Sequence, residues 1–160
     1  MFKSRVLKSV LVASLMFSST AIADTTGTVT LGGTVEPTLS ITSTATAGAA
    51  ALDLSGGTKI VKVSDLAMST NNEQGLTLTA SSGNLTKSGG TSIAFQVTSV
   101  DNAAAAPAAG AFTIASGSNY TVGTEAAGSV DQDLYIMYTP AALQDPGAYA
   151  GSISLTVTDN

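Results

Sequence analysis

The side chains that usually perform chemistry are few in this chain. There is no His and no Cys among 160 residues, so no Ser-His or Cys-His pair, no thiolate and no ordinary zinc or copper site can be assembled. Two carboxylates, Asp131 and Asp133, flank Gln132 at the mouth of a strand-like run. Carboxylates at that spacing could touch a calcium ion. Calcium needs a larger set of oxygens and a Gly turn that is absent here, and the ordinary reading is a pair of solvated strand-entry residues. Asn84-Leu85-Thr86 and Asn119-Tyr120-Thr121 match the glycosylation sequon, which in a Thr-rich chain says only that both sites are expected in exposed loops. Lys59, Lys62 and Lys87 accompany many serines, but no spacing marks a Ser-Lys dyad. The residues therefore point away from an enzyme, and no cofactor or metal is expected.

With so little side-chain chemistry, the function of the chain must rest on its structural elements. Lys3, Arg5 and Lys8, the apolar run from Val10 to Phe17 and Ala21-Ile22-Ala23 follow one another as a secretory signal peptide does. The expected boundaries are a leader over 1–23 and a mature chain from Asp24. About 137 residues then remain, enough for one domain with a real core. Three of the six basic residues leave with the leader, so three lysines face eleven carboxylates, a formal charge of −8. That balance argues against nucleic acid and against anionic membranes, which require basic patches. No second apolar segment approaches the length of a membrane span. Without cysteine, an exported domain must draw its stability from packing and partners.

The hydrophobic period is that of short strands. Val61 and Val63 alternate with Lys62; Leu76, Leu78 and Ala80 with threonines; Ile93, Phe95 and Val97 with Ala94, Gln96 and Thr98. Phe112 and Ile114 read as a further short piece. Residues 133–139, "DLYIMYT", are apolar on both faces, as a covered central strand is. "AGSISLTVT" at 150–158 sets Ile153, Leu155 and Val157 inward. Gly- and Ser-rich turn signals separate these runs, among them Pro146-Gly147, which suits the centre of a type II turn. The alanine-rich stretch from Asp101 to Ala111 is broken by Pro107 and reads as a surface loop. Tyr120, Tyr135, Tyr138 and Tyr149 read as core or strand-edge residues. Seven or eight strands at this spacing predict an all-β, immunoglobulin-like sandwich.

One segment stands apart. In "TGTVTLGGTVEPTLSI", Thr26 to Ile41, Val29, Leu31, Gly33 and Val35 share one side of an extended chain, with no hairpin partner before them. A strand with an apolar face and unpaired backbone seeks a sheet edge. It can lie along its own sandwich as an edge strand, or complete a neighbouring copy by β-strand addition. A glycine in register, Gly33, suits a groove with no room for a side chain.

At both ends the chain resembles the pilin subunits of bacterial chaperone-usher fimbriae. "VTLGGTVEP" from Val29 to Pro37 is similar to the donor strand of the cysteine-free alpha type, the colonisation-factor fimbriae. "GAYAGSISLTVTDN" from Gly147 is similar to the Gly-x-Tyr-x-Gly approach to the final strand of these pilins. The resemblance implies an incomplete immunoglobulin-like domain over 37–160 that lacks its last strand, with 24–36 as a free donor strand. It implies that Val29, Leu31, Gly33 and Val35 are the donor residues and that Ile153, Leu155 and Val157 border the acceptor groove. It implies, as partners, a periplasmic chaperone, an outer-membrane usher, further copies of the same chain in a surface polymer and in some cases a host-surface receptor. The expectation is a structural fimbrial subunit; the alternative is a self-complete secreted β-sandwich that binds a carbohydrate or protein ligand.

Overall fold

Strict alternation along Leu76–Ser81 becomes strand β3, with Leu76, Leu78 and Ala80 buried and Thr77, Thr79 and Ser81 half-buried on the other side. The same period-two logic builds the whole molecule, because each side chain on a strand points to the face opposite its neighbours. The computed structural model describes residues 26–160; the expected leader lies outside them. The elements are β1 (Leu39–Ala45), a single helical turn α1 (Ala47–Ala50), β2 (Lys59–Thr70), β3 (Leu76–Ser81), β4 (Gly83–Leu85), β5 (Ile93–Asp101), a 3-10 turn at Ala109–Ala111, β6 (Asn119–Gly123), β7 (Gly128–Tyr138) and β8 (Leu155–Asp159). All ladders are antiparallel. One sheet runs β1-β2-β7-β5-β4 and the other β6-β3-β8. The fold is an all-β sandwich, as the strand rhythm predicts.

The core fills the space between the sheets. Leu66, Leu76, Leu78, Phe95, Val97, Leu134, Ile136 and Tyr138 are all buried there. β7 lies between β2 and β5, and Tyr135 is buried on its opposite face, so the run 133–139 is covered on both sides as expected. What covers it was not expected. Phe112 and Ile114 form no strand; Gln96, on the face of β5 away from Phe95 and Val97, donates from its side-chain amide to the carbonyls of Phe112 and Ile114 at 3.1 and 2.6 Å. These bonds hold the loop after β5 against the outer face, and Phe112 is buried as its anchor. Apolar residues two apart satisfied a loop rather than a ladder. Two further details differ. Pro146-Gly147 is a bend, with Gly147 at φ 135°. The final strand starts at Leu155, and Ile153 precedes it, half-buried against the core.

Polar groups tie the sheets together at one end. The Thr70 hydroxyl, on β2, donates to the Asp159 carboxylate of β8 at 2.6 Å. Asn160 adds bonds from its side chain to the carbonyls of Gln74 and Thr124, both 2.9 Å, and its own carbonyl accepts from Asn72 at 2.8 Å. Ser99, Gln132 and Tyr120 form a second bridge, from β5 and β7 to β6. Satisfied buried polar groups of this kind specify one arrangement of two sheets that apolar packing alone would let slide.

Val35–Asn160 forms one compact unit. Residues Thr26–Thr34 are extended and form no strand, with Val29 and Leu31 exposed by 81% and 89%.

Candidate functional site

The two carboxylates of the acidic pair stand in different surroundings. Asp131 is exposed, whereas Asp133 is buried. The Lys62 ammonium, from the neighbouring strand β2, sits 2.8 Å from Asp133 Oδ1 and 2.6 Å from Asp65 Oδ1. The Ala103 backbone N–H donates to Asp133 Oδ2 at 3.2 Å. Lys62 is therefore the cation paired with Asp133, which is buried rather than a solvated strand-entry residue. The ammonium is the sole partner of Oδ1, close but poorly aligned for a hydrogen bond. Close contact with the Asp133 carboxylate first and with Asp65 second holds the Lys62 ammonium above the ordinary lysine range. Asp53 is held well below the carboxylate range by Lys59 at 2.6 Å and by the Ser55 N–H at 2.9 Å. Burial pushes the Tyr138 phenol up. The sequon residues are exposed, but on strands rather than loops: Asn84 lies in β4 and Asn119 opens β6. Asp65 and Asp131 line a hollow of about 310 Å³ with Asn102 and Gln132, and none of these groups lines the opening between the sheets.

The opening that does reach the core lies between β1 and β8. Each is the edge of its own sheet, β1 beside β2 and β8 beside β3, and the two approach one another with no ladder between them. Between them runs a groove of about 400 Å³. Its floor is Val63, Phe95, Leu134 and Ile136, and Ile153 and Leu155 border it on the β8 side. Val157 continues that border, half-buried against the core. Thus the three residues assigned to the final strand share one apolar margin.

Local sequence explains why the groove is open. The inward positions of β1 shrink along the strand, from Leu39 and Ile41 to Ser43 and Ala45. Ser43 and Ala45, with Ala49, Ala150 and Gly151, leave the volume over the floor unfilled. A bulge in β2 between Lys62 and Ser64 buries Val63 and Ser64 together, and the Ser64 hydroxyl meets the Ser43 hydroxyl at 2.7 Å. The α1 turn closes onto β2 through Gly48, where a Cβ would come within 2.8 Å of the Lys62 carbonyl and of Val61. Tyr149, expected as a core or strand-edge residue, lines the groove; the β1 margin and α1 were not anticipated from sequence, and the run of small residues from Ala45 to Ala51 is the signal that could have marked them.

The four positions assigned to the donor strand lie at the other end of the chain. Val29, Leu31 and Val35 are all more than four-fifths exposed. A Cβ on Gly33 would meet no heavy atom within 4 Å, and its φ is outside the left-handed region. Nothing in the chain's own fold calls for glycine there. The chain is gripped only as it approaches β1: the Asn71 side chain donates to the Glu36 carbonyl at 2.8 Å and accepts from the Thr38 N–H at 2.9 Å. No helix among the described residues is long and apolar enough to cross a membrane. No protein-family model matches this chain, and a search of curated proteins finds no match.

Proposed function

We propose that this chain is a structural subunit of a surface fibre, in which the N-terminal segment of one copy fills the groove between β1 and β8 of the next. The observation that carries the reading is the groove itself: two unpaired sheet edges face each other across an apolar floor. An extended strand placed there bonds its backbone to one or both edges and drops alternate side chains onto Val63, Phe95, Leu134 and Ile136. Val29, Leu31 and Val35 supply such side chains, already on one side of an extended chain, with Gly33 between the last two, and exposed. Gly33 fits the reading because its own fold leaves glycine unexplained. Burying three aliphatic side chains contributes roughly 1.5–3 kcal/mol each, before backbone pairing.

By this reading the fold is an immunoglobulin-like sandwich whose last position is taken by another chain. A periplasmic chaperone strand occupies the groove before assembly, and an outer-membrane usher exchanges it for the next subunit. The subunit then resides in a fimbria on the cell surface, supporting adhesion or biofilm formation. The test is to shear surface material from cells expressing the native operon and to run it, boiled and unboiled, on a denaturing gel probed for this protein. The expected result is a ladder of multimers that collapses on boiling and is absent for Leu31→Asp. A monomer band under both conditions, with the protein free in the medium, overturns the reading.

A further inference from the structure

Lys59 and Lys62 are both ion-paired, to Asp53 and to Asp65 and Asp133. Lys87 is the one lysine among the described residues with no carboxylate within salt-bridge distance. In a chain with eleven carboxylates, an unpaired cation is the exception. Its position is also defined. The Lys87 stem lies in space that side chains at two glycines would take: a Cβ on Gly147 would fall 2.6 Å from Lys87 Cε, and one on Gly90 would fall 3.2 Å from Nζ. The same point on Gly90 lies 3.1 Å from the Tyr149 hydroxyl, and Tyr149 lines the groove. The ammonium therefore stands near the Tyr149 hydroxyl, outside the residues that line the groove, at the end where the chain leads through Tyr149 to Ile153 into β8.

The two ends of the groove are not equivalent. At the far end β8 is clamped to the other sheet through Thr70 and Asp159. β1 also begins there, because Leu39 pairs with Thr70, and Asn71 ties down Glu36 and Thr38 beside it. Each subunit thus roots its N-terminal segment at its clamped end. In an open head-to-tail chain, donating and accepting surfaces must be distinct. A donor entering from the clamped end would bring its body against that root. It must therefore enter at the Tyr149 end, running antiparallel to β8, with Val29 innermost and Val35 nearest the rim.

The residue after Val35 is Glu36, exposed, and the sole acid between Thr26 and Leu52. We propose that Glu36 of the incoming copy pairs with Lys87 of the accepting copy, an intersubunit ion pair that selects the donor's register at the mouth of the groove. The inference rests on the strand-donation reading above. A donor slipped by one residue turns Val29, Leu31 and Val35 away from the floor, and one slipped by two carries Glu36 past the ammonium.

The test uses sheared surface fibres from cells expressing the wild type, Glu36→Lys, Lys87→Glu and the double exchange. The half-time of ladder loss in denaturing detergent at one fixed temperature is measured at low and high salt. Each single variant is expected to shorten the half-time about threefold at low salt, the size of an exposed ion pair, and less at high salt. The double exchange should return it to within about twofold of wild type. Because Lys87 packs across two glycines, Glu36→Gln serves as an independent variant on an exposed side chain, expected between wild type and Glu36→Lys. Single variants that match the wild type, or a double exchange that multiplies the two losses, overturn the ion pair while leaving strand donation standing. A wild type with no ladder overturns strand donation itself, and the ion pair with it.

Discussion

If the groove is completed by residues 26–36, the same leucine must be silent in one place and essential in another. Consider a chain with a second copy of residues 26–36 appended after Asn160 through a short turn. β8 ends at Asp159 beside the clamped end, so a strand running back antiparallel to it needs only a hairpin connection. The appended segment should raise the thermal midpoint by filling the groove over Leu134 and Ile136. Leu31→Ala in the original segment removes a side chain that is 89% exposed, and should change stability by no more than about 0.5 kcal/mol. The equivalent Leu→Ala in the appended copy removes a buried side chain and leaves a cavity, which costs about 2–5 kcal/mol. At roughly 3 °C per kcal/mol for a domain of this size, the midpoint should fall by about 6–15 °C. Differential scanning calorimetry of the four proteins decides the matter. An appended segment that leaves the midpoint unchanged, or an appended leucine as silent as the original, refutes the reasoning that the groove is an unfilled strand position.

Three further outcomes follow from particular residues. Gly33→Val should leave the stability of the isolated chain, measured by thermal unfolding, within about 0.5 kcal/mol of wild type, since a Cβ there meets nothing, yet abolish the ladder of sheared fibres. Thr70→Val keeps the shape and removes the hydroxyl bond to the Asp159 carboxylate; urea unfolding should show a loss of about 1.5–3 kcal/mol, as for a hydrogen bond to a charged group. Lys62→Met should lower the urea midpoint at neutral pH, because it leaves the buried Asp133 carboxylate without its ammonium. The folded-state pKa of Lys62 is raised, so its contribution is complete below the unfolded lysine value of 10.5 and is lost as pH rises through the folded value. The difference between wild type and Lys62→Met should therefore be constant from pH 7 to 9 and shrink in strongly alkaline buffer.

The strands whose faces differ in polarity could be read directly. Leu76, Leu78 and Ala80 point one way because alternation dictates it, and residues 133–139 had to be central because both of their faces are apolar. The alternation of Val29, Leu31 and Val35 was equally legible, but their exposure was not. Local pattern misleads where a distant group satisfies it. Phe112 and Ile114 have strand spacing but serve a loop, because Gln96 holds their carbonyls. Asp133 looks like a solvated acid, yet a lysine from β2, beside a bulge that pairing alone reveals, lets it be buried.

Alternation, composition and turn residues thus determined that this is a β-sandwich with a segment at its front that matches no hairpin partner. Only the tertiary structure decided that β1 and β8 become edges of different sheets, that Ser43 and Ala45 leave the core open between them, and that Lys87 stands near the Tyr149 hydroxyl. The reason is physical: a strand's faces follow from its own residues, whereas a groove depends on which strands fail to meet, here β1 and β8, which lie more than a hundred positions apart in the chain.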